Sequence, residues 1–334
     1  MNIHERQYES LRKLVDDHLH SLVKQNSPKD VSDACRYVLS AGGKRVRAVL
    51  VLLSCKAVGG NVRDALDASA AIELMHNFTL VHDDIMDNAA SRRGKPTVHT
   101  QWNTGTALLA GDVLLGLAYR KALNTNSGRL QRILNLFTNG LIGVCEGQAL
   151  DLEFERRSDV TVRDYFEMIG KKTGKLIATS TELGAIIGQG TDRQVTALRQ
   201  FGHYLGRAFQ LQDDLLDVVA EEKAFGKTIG GDIVEGKKTF LLLQSLERAR
   251  GRDRRTLMRV MNRKASAPLR NMPERKREIE SVTAIYESTG TLDAARTLIR
   301  QNTTRAESML QSLPASRAQG TLLWLSNMLL QRKH

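Results

Sequence analysis

Apolar positions recur with a helical period along almost the whole chain. Leu198, Phe201, Leu205, Phe209 and Leu216 fall at spacings of three, four and seven, and Ile72, Met75, Phe78, Thr79 and His82 trace a second stripe of the same kind. No stretch sustains an alternation of period two, and five prolines in 334 residues leave long segments uninterrupted. Punctuation falls at Ser27-Pro28, Ala41-Gly42-Gly43, Gly59-Gly60, Gly94–Pro96, Asn124–Gly128, Gly188–Gly190, Gly226–Gly231 and Ala267–Pro273. Helices of about 12 to 28 residues with short connections lie between these breaks, the pattern of an all-α bundle. No repeat, low-complexity tract or long linker interrupts it, so a single domain over residues 1–334 is expected.

Composition narrows the class. The chain is 41% hydrophobic and 26% charged, and no apolar run approaches the ~20 residues that a bilayer-spanning helix needs. The opening MNIHERQYES is polar, which argues against a secretory signal. Three scattered cysteines suit a reducing cytoplasm better than a disulfide framework or a structural zinc site. The net charge of +12 is not spread evenly: from Arg248 onward 18 Lys and Arg stand against 7 Asp and Glu, and 12 of the 18 lie within Arg248–Arg277. That segment could rest peripherally on anionic lipid, or form a solvated arginine-rich surface. No recognition motif or aromatic platform accompanies it, so nucleic acid is not expected as a partner.

The chemistry concentrates in two aspartate clusters, Asp83-Asp84-Ile85-Met86-Asp87 and Asp213-Asp214-Leu215-Leu216-Asp217, each of the form D-D-x-x-D inside an apolar helical pattern. Positions i and i+4 of a helix point the same way, so Asp83 pairs with Asp87 and Asp213 with Asp217, with Asp84 and Asp214 flanking them. Three carboxylates within a turn and a half repel one another, and burial alone would force protonation. A hard divalent cation relieves the conflict, and Mg²⁺ keeps room for waters and substrate phosphates. Two such clusters facing each other predict a diphosphate held across several Mg²⁺ ions.

Cationic segments fit the same ligand. Gly42-Gly43-Lys44-Arg45-Val46-Arg47 places three cations beside a turn that leads into a helix, where free N–H groups favour an anion. Ser91-Arg92-Arg93-Gly94-Lys95-Pro96-Thr97 follows the first aspartate cluster, and arginine's planar fork suits phosphate. Lys171-Lys172-Thr173, Gly226-Lys227-Thr228 and Gly236-Lys237-Lys238-Thr239 repeat a Lys-near-Thr pattern.

Taken in order, GGKRVR, HNFTLVHDDIMD, SRRGKPT, GDVLL, GQALD, KKTGKL, FQLQDDLLD and GKTIGGDIVEGKKT resemble the trans-isoprenyl diphosphate synthases, or polyprenyl synthetases, from about residue 39 to 243, ahead of basic helices over 248–334. Ala48 is one departure, standing where that family commonly has proline. The resemblance implies an isoprenoid-synthase-type bundle around a central catalytic cavity, working as a homodimer. It implies head-to-tail condensation of isopentenyl diphosphate with an allylic diphosphate, through Mg²⁺-assisted ionisation to an allylic carbocation, with about three Mg²⁺ per site. By the same resemblance Asp83, Asp84, Asp87, Asp213, Asp214 and Asp217 hold metal. Arg92, Lys172, Lys227 and Lys237 hold the allylic diphosphate, and Gly43, Lys44, Arg47, His76 and Arg93 hold isopentenyl diphosphate. Thr173 and Gln210 offer oxygen dipoles to the cation, with Gln148 and Asp151 behind them.

A growing hydrocarbon needs a dry receptacle, worth roughly 0.8 kcal/mol per buried methylene. Phe78 and Thr79, one turn before the first aspartates, form its first floor, and Met75 lies a turn deeper and can yield. An aromatic at Phe78 with no insertion in the first aspartate motif resembles enzymes that stop at geranylgeranyl diphosphate, with farnesyl diphosphate as the alternative. A terpene cyclase would carry an Asn/Ser/Glu triad in place of Asp213–Asp217 and lack GGKR. A non-catalytic partner subunit would have lost aspartates or basic residues, and none is missing.

Overall fold

The computed structural model describes residues 1–22, 28–219, 230–263 and 272–330. Its order is α1 (Ile3–His20), α2 (Lys29–Ser40), α3 (Val46–Ala57), α4 (Val62–Met86), a hairpin of β1 (Ser91–Arg92) and β2 (Lys95–Pro96), α5 (Val98–Gln101), α6 (Thr104–Leu123), α7 (Leu130–Arg156) and α8 (Val162–Ile169). A π-helical segment (Gly170–Gly174) leads into α9 (Lys175–Ile187) and α10 (Asp192–Val219). Then come α11 (Gly231–Glu235), α12 (Phe240–Arg248), α13 (Gly251–Met261), α14 (Met272–Ser288), α15 (Thr291–Leu310) and α16 (Arg317–Leu330). The fold is all-α, as the periodicity predicts.

Two compact units share the chain. The first comprises Met1–Leu141, Leu176–Gly202 and Met309–Trp324. Its centre is α3, whose residues from Ala48 to Leu53 are all buried; a helix apolar on every side is one sealed within a core. α9 packs on α3 through glycine: a Cβ on Gly184 would lie 2.1 Å from the Val51 carbonyl oxygen, so only a bare Cα allows the approach. Arg45, the middle cation of GGKRVR, is structural. It caps α3 with φ 48° and its buried guanidinium donates to Asp16 (2.8 Å), Glu73 (3.0 Å) and the Leu39 carbonyl (2.6 Å). A buried charge needs that full set of partners, and the set ties α1, α2 and α4 to the start of α3.

The second unit comprises Ile142–Lys175, His203–Ser308 and Leu325–His334. Its core gathers Phe154, Tyr165, Leu211, Leu215, Phe240 and Tyr286 with their apolar neighbours. One feature differs from the sequence pattern. The break between α7 and α8 carries no glycine or proline and is made by a capping box, Thr161 with Asp164. The basic stretch, thin in apolar residues, is helical over α13 because Leu257, Val260 and Met261 suffice to seat one face.

Several arginines of that stretch also have carbonyl partners. Arg250 donates to the carbonyls of Glu247, Arg248 and Ala249, and Arg254 to that of Leu246, closing the exposed end of α12. Arg248 does the same for Thr289 and Gly290 after α14. Arg263 binds the Ile233 and Val234 carbonyls and pairs with Glu278. Arg252, Arg255 and Arg259 remain exposed.

Candidate active site

Both aspartate clusters sit at helix C-termini. Asp83 and Asp84 lie in the last turn of α4, with Asp87 as its C-cap, and Asp213, Asp214 and Asp217 lie in the last turns of α10. Neither helix carries a basic residue in its last turn. The carbonyl end of a helix is its negative pole and disfavours each carboxylate there by about 0.3–1 kcal/mol. Four of the six, Asp83, Asp84, Asp87 and Asp217, stand at these negative poles and are therefore a liability unless cations neutralise them. The clusters share one pattern of exposure: the middle aspartate is buried (Asp84, Asp214), while the first and third are accessible.

In the first unit, Arg92 donates from Nε and Nη2 to Asp84 Oδ1, both at 2.7 Å. Burial raises the Asp84 pKa, and Arg92 opposes that rise. Arg92 and Arg93 are carried by the β1–β2 hairpin, whose central residues Arg93 (φ 54°) and Gly94 (φ 74°) both take left-handed backbone, as a tight two-residue turn requires. Tyr37 anchors the hairpin by donating to the Pro96 carbonyl at 2.8 Å, with Lys95 over its ring at 5.8 Å. Beneath the hairpin lies an open space of about 410 Å³, lined among others by Tyr37, Asn77, Asp84, Arg92 and Arg93.

Arg93 rests on Gly43, where a Cβ would lie 2.9 Å from Nη1, and it donates to the Gly42 carbonyl. Arg47 Nη1 lies 3.2 Å from His76 Nε2. Burial, then Arg47, Arg93, Arg92 and Arg45, push the His76 pKa well below its ordinary value, so the imidazole is neutral and accepts from Arg47. The structure thus brings Gly43, Arg47, His76 and Arg93 together. Lys44 is exposed beside them, its carbonyl bound by the Tyr8 hydroxyl.

The proposed floor is on α4. Met75 is fully buried, and Phe78 and Thr79 are nearly so. Thr79 donates to the His76 carbonyl at 2.8 Å and stands four residues before Asp83. The Phe78 ring meets His82 edge-on, with centroids 4.7 Å apart. His82 in turn lies against α6, 3.2 Å from the Leu108 carbonyl, where a Cβ on Gly111 would clash with its ring at 2.3 Å.

In the second unit, the π-helical segment sets Lys172 and Thr173. Its backbone is approached so closely that a Cβ on Gly147 of α7 would lie 2.2 Å from the Lys172 nitrogen, and one on Gly206 of α10 2.6 Å from the Gly174 Cα. Lys172 pairs with Asp151 at 2.6 Å and Lys237 with Asp232 at 3.6 Å. Lys171, by contrast, pairs with Glu146 and Glu167 at the surface. Thr173 Oγ1 donates to Gln210 Oε1 at 2.8 Å, and Gln210 Nε2 to Asp214 Oδ1 at 2.9 Å. Asp151, Lys172, Thr173, Gln210, Asp214 and Lys237 border an open space of about 430 Å³. Burial and then the Asp232 charge push Asp214 up to about 7, and the same two causes push Asp217 up to about 6 although the Asp232 N–H donates to it at 3.0 Å. Asp232 raises Lys237, which stays charged.

The polyprenyl synthetase family model matches residues 28–274. The chain belongs to that family. It is 38% identical over 323 residues, 96% of each chain, to the short chain isoprenyl diphosphate synthase of Methanothermobacter thermautotrophicus. Among solved structures it resembles the geranylgeranyl pyrophosphate synthetase of Pyrococcus horikoshii, with a TM-score of 0.90 and 36% identity over 98% of this chain and 99% of that one. It also resembles a decaprenyl diphosphate synthase from Rhodobacter capsulatus, with a TM-score of 0.88 and 28% identity over 99% of both. Synthases named for short and long products thus share the fold.

Lys227 lies outside the described residues. Sequence reasoning assigned no role to Asp232, Tyr165 or His82, although Asp232 lies inside GGDIVEGKKT and His82 inside HNFTLVHDDIMD; only Tyr165 carried no motif signal. Among the described residues no three His, Cys, Asp or Glu side chains form a ready-made metal cage. The donor set nonetheless fits Mg²⁺: hard carboxylate oxygens, partly buried, at negative helix ends, with substrate phosphates free to complete the coordination.

Proposed function

We propose that the chain condenses isopentenyl diphosphate head-to-tail with an allylic diphosphate and releases geranylgeranyl diphosphate. The observation that carries this reading is the pair of carboxylate triplets at helix C-termini, each accompanied in its own unit by arginine or lysine side chains. Asp83, Asp84, Asp87, Asp213, Asp214 and Asp217 are the carboxylates available to hold Mg²⁺, about three ions per site. Bound there, Mg²⁺ supplies positive charge that makes diphosphate a better leaving group.

Arg92, Lys172 and Lys237, with Lys227, receive the allylic diphosphate. Each of the first three is paired with a carboxylate in the structure (Asp84, Asp151 and Asp232), which holds it aimed. Gly43, Lys44, Arg47, His76 and Arg93 receive isopentenyl diphosphate. Neutral His76 accepts from Arg47 and so holds that guanidinium in place. The allylic C–O bond breaks, and Thr173 and Gln210 present oxygen dipoles to the cation that remains. The C3–C4 double bond of isopentenyl diphosphate attacks it, and the departing diphosphate takes the proton.

The test is incubation with radiolabelled isopentenyl diphosphate, Mg²⁺ and dimethylallyl, geranyl or farnesyl diphosphate in turn, followed by chromatography of the dephosphorylated alcohols. Geranylgeraniol is expected; farnesol would move the product to the shorter alternative, and no incorporation would overturn the reading. Asp83→Ala and Asp213→Ala should each cost several orders of magnitude in rate, and near-normal turnover in either would refute two cooperating carboxylate sets. No described helix is long and apolar enough to cross a membrane. A cytoplasmic homodimer completes the proposal, supported by the exposed apolar row Leu108, Leu109 and Val113 on α6.

A further inference from the structure

Tyr165 belongs to no phosphate-binding or aspartate motif, yet its hydroxyl is spent inside the second unit's site. The ring is fully buried, packed on Phe166 (5.4 Å between centroids) and Phe240 (6.4 Å), so its position is set by packing. Its hydroxyl donates to Asp214 Oδ2 at 2.6 Å. The other oxygen of that buried carboxylate accepts from Gln210 Nε2 at 2.9 Å, and Gln210 Oε1 accepts from Thr173 Oγ1 at 2.8 Å.

The direction of this chain follows from the donors and acceptors available. A carboxamide has nearly the same shape either way round, and only its partners decide which end is oxygen. In its ionised form, the form that would hold Mg²⁺, Asp214 can only accept, so it selects the NH₂ of Gln210 and turns its Oε1 towards Thr173. The single proton of Thr173 is then committed to Gln210, and what the threonine oxygen can still offer the adjoining space is a lone pair. Positive charge on carbon is stabilised by fixed oxygen dipoles, and a hydroxyl proton or an amide N–H turned towards it would oppose it. The polarity of the whole row depends on Asp214 holding still, and Tyr165 is the side chain that holds its second oxygen.

We propose that Tyr165 is a positioning residue for prenyl transfer: acting through Asp214, it fixes the Gln210 amide so that Gln210 and Thr173 turn oxygen towards the developing cation. This rests on the prenyl-transfer reading above and adds to it a residue that makes no contact with diphosphate.

Tyr165→Phe keeps the ring and its packing and removes only the anchoring hydroxyl. Steady-state kinetics should show kcat lowered about tenfold or more, with KM for both diphosphates within about threefold of the unaltered protein. Gln210→Ala should lower kcat as well, and Tyr165→Phe added to Gln210→Ala should cost less than about twofold more, since its target is gone. Unchanged kcat in Tyr165→Phe, a loss confined to KM, or fully additive losses in the double variant would each overturn the proposal. Should Tyr165→Phe not fold, nitrogen-15 NMR of the unaltered protein reads the same chain: the Gln210 side-chain NH₂ should exchange slowly with solvent. A freely exchanging Gln210 amide would overturn the proposal. If the unaltered protein transfers no prenyl group, the parent reading fails, and the NMR arm still reports on the hydrogen-bond chain.

Discussion

Phe78 is packed tightly, and in the proposed function the same ring limits the product. Its ring is nearly buried and held edge-on by His82, which is itself held by α6 at Leu108 and Gly111. A ring so wedged cannot swing aside, so a lengthening chain that reached it would have to force repacking at about 1–3 kcal/mol or more. Phe78→Ala should therefore lengthen the product by one or more isoprene units while preserving turnover, read by chromatography of the alcohols. Thermal melting should show a cost of about 3–5 kcal/mol from the lost ring. An unchanged product would place the floor elsewhere. Phe78 was legible in the sequence by its distance from Asp83; His82 was legible as a member of the same stripe, but not as the support of Phe78, because only packing against α6 gives that imidazole a role.

At the scale of elements, glycine decides where backbones meet. Gly147 and Gly206 admit the π-helical segment that carries Lys172 and Thr173, and π-turns of this kind are costly unless surrounding structure compels them. Gly147→Ala would set a Cβ 2.2 Å from the Lys172 nitrogen, so the segment must move. We expect kcat/KM for the allylic diphosphate to fall by about a hundredfold or more, with chemical denaturation showing a smaller loss of stability, about 1–3 kcal/mol. Full activity in this variant would show that the close approach has no bearing on Lys172. The β1–β2 hairpin is the counterpart in the first unit. Its Arg93-Gly94 turn lacks the usual Asn-Gly signature, so the sequence read there as a basic break and the structure shows a two-residue turn that aims two arginines. The helices themselves were readable because a 3.6-residue period persists whatever packs on it.

For the whole molecule, the charge excess is distributed more soberly than its sum suggests. Arg248, Arg250 and Arg254, though exposed, bind carbonyl oxygens at helix ends, as half-buried Arg263 does, while Arg252, Arg255 and Arg259 are exposed on the same stretch from 248 to 263. Net charge alone could not separate capping arginines from surface ones. The apolar row on α6 makes a prediction of its own: Leu109, 56% exposed, stands four residues before Val113, 43% exposed. Sedimentation should find the unaltered chain dimeric, and Leu109→Glu should shift it towards monomer with circular dichroism unchanged. A dimer that survives Leu109→Glu would exclude this row as its interface.

The sequence by itself determined the all-α class, the two aspartate clusters and the cations that go with them, because helical period, paired carboxylates and Lys or Arg near glycine turns are local patterns. Tertiary structure alone decided which charge is buried and which is offered. Arg45 and Arg47 lie two residues apart, yet Arg45 is sealed among Asp16 and Glu73 while Arg47 meets His76. It alone decided that both clusters fall at the negative ends of their helices, and that Tyr165 reaches Asp214 across 49 positions of chain. Such partnerships depend on which faces of distant helices are pressed together, and a one-dimensional pattern carries no record of that.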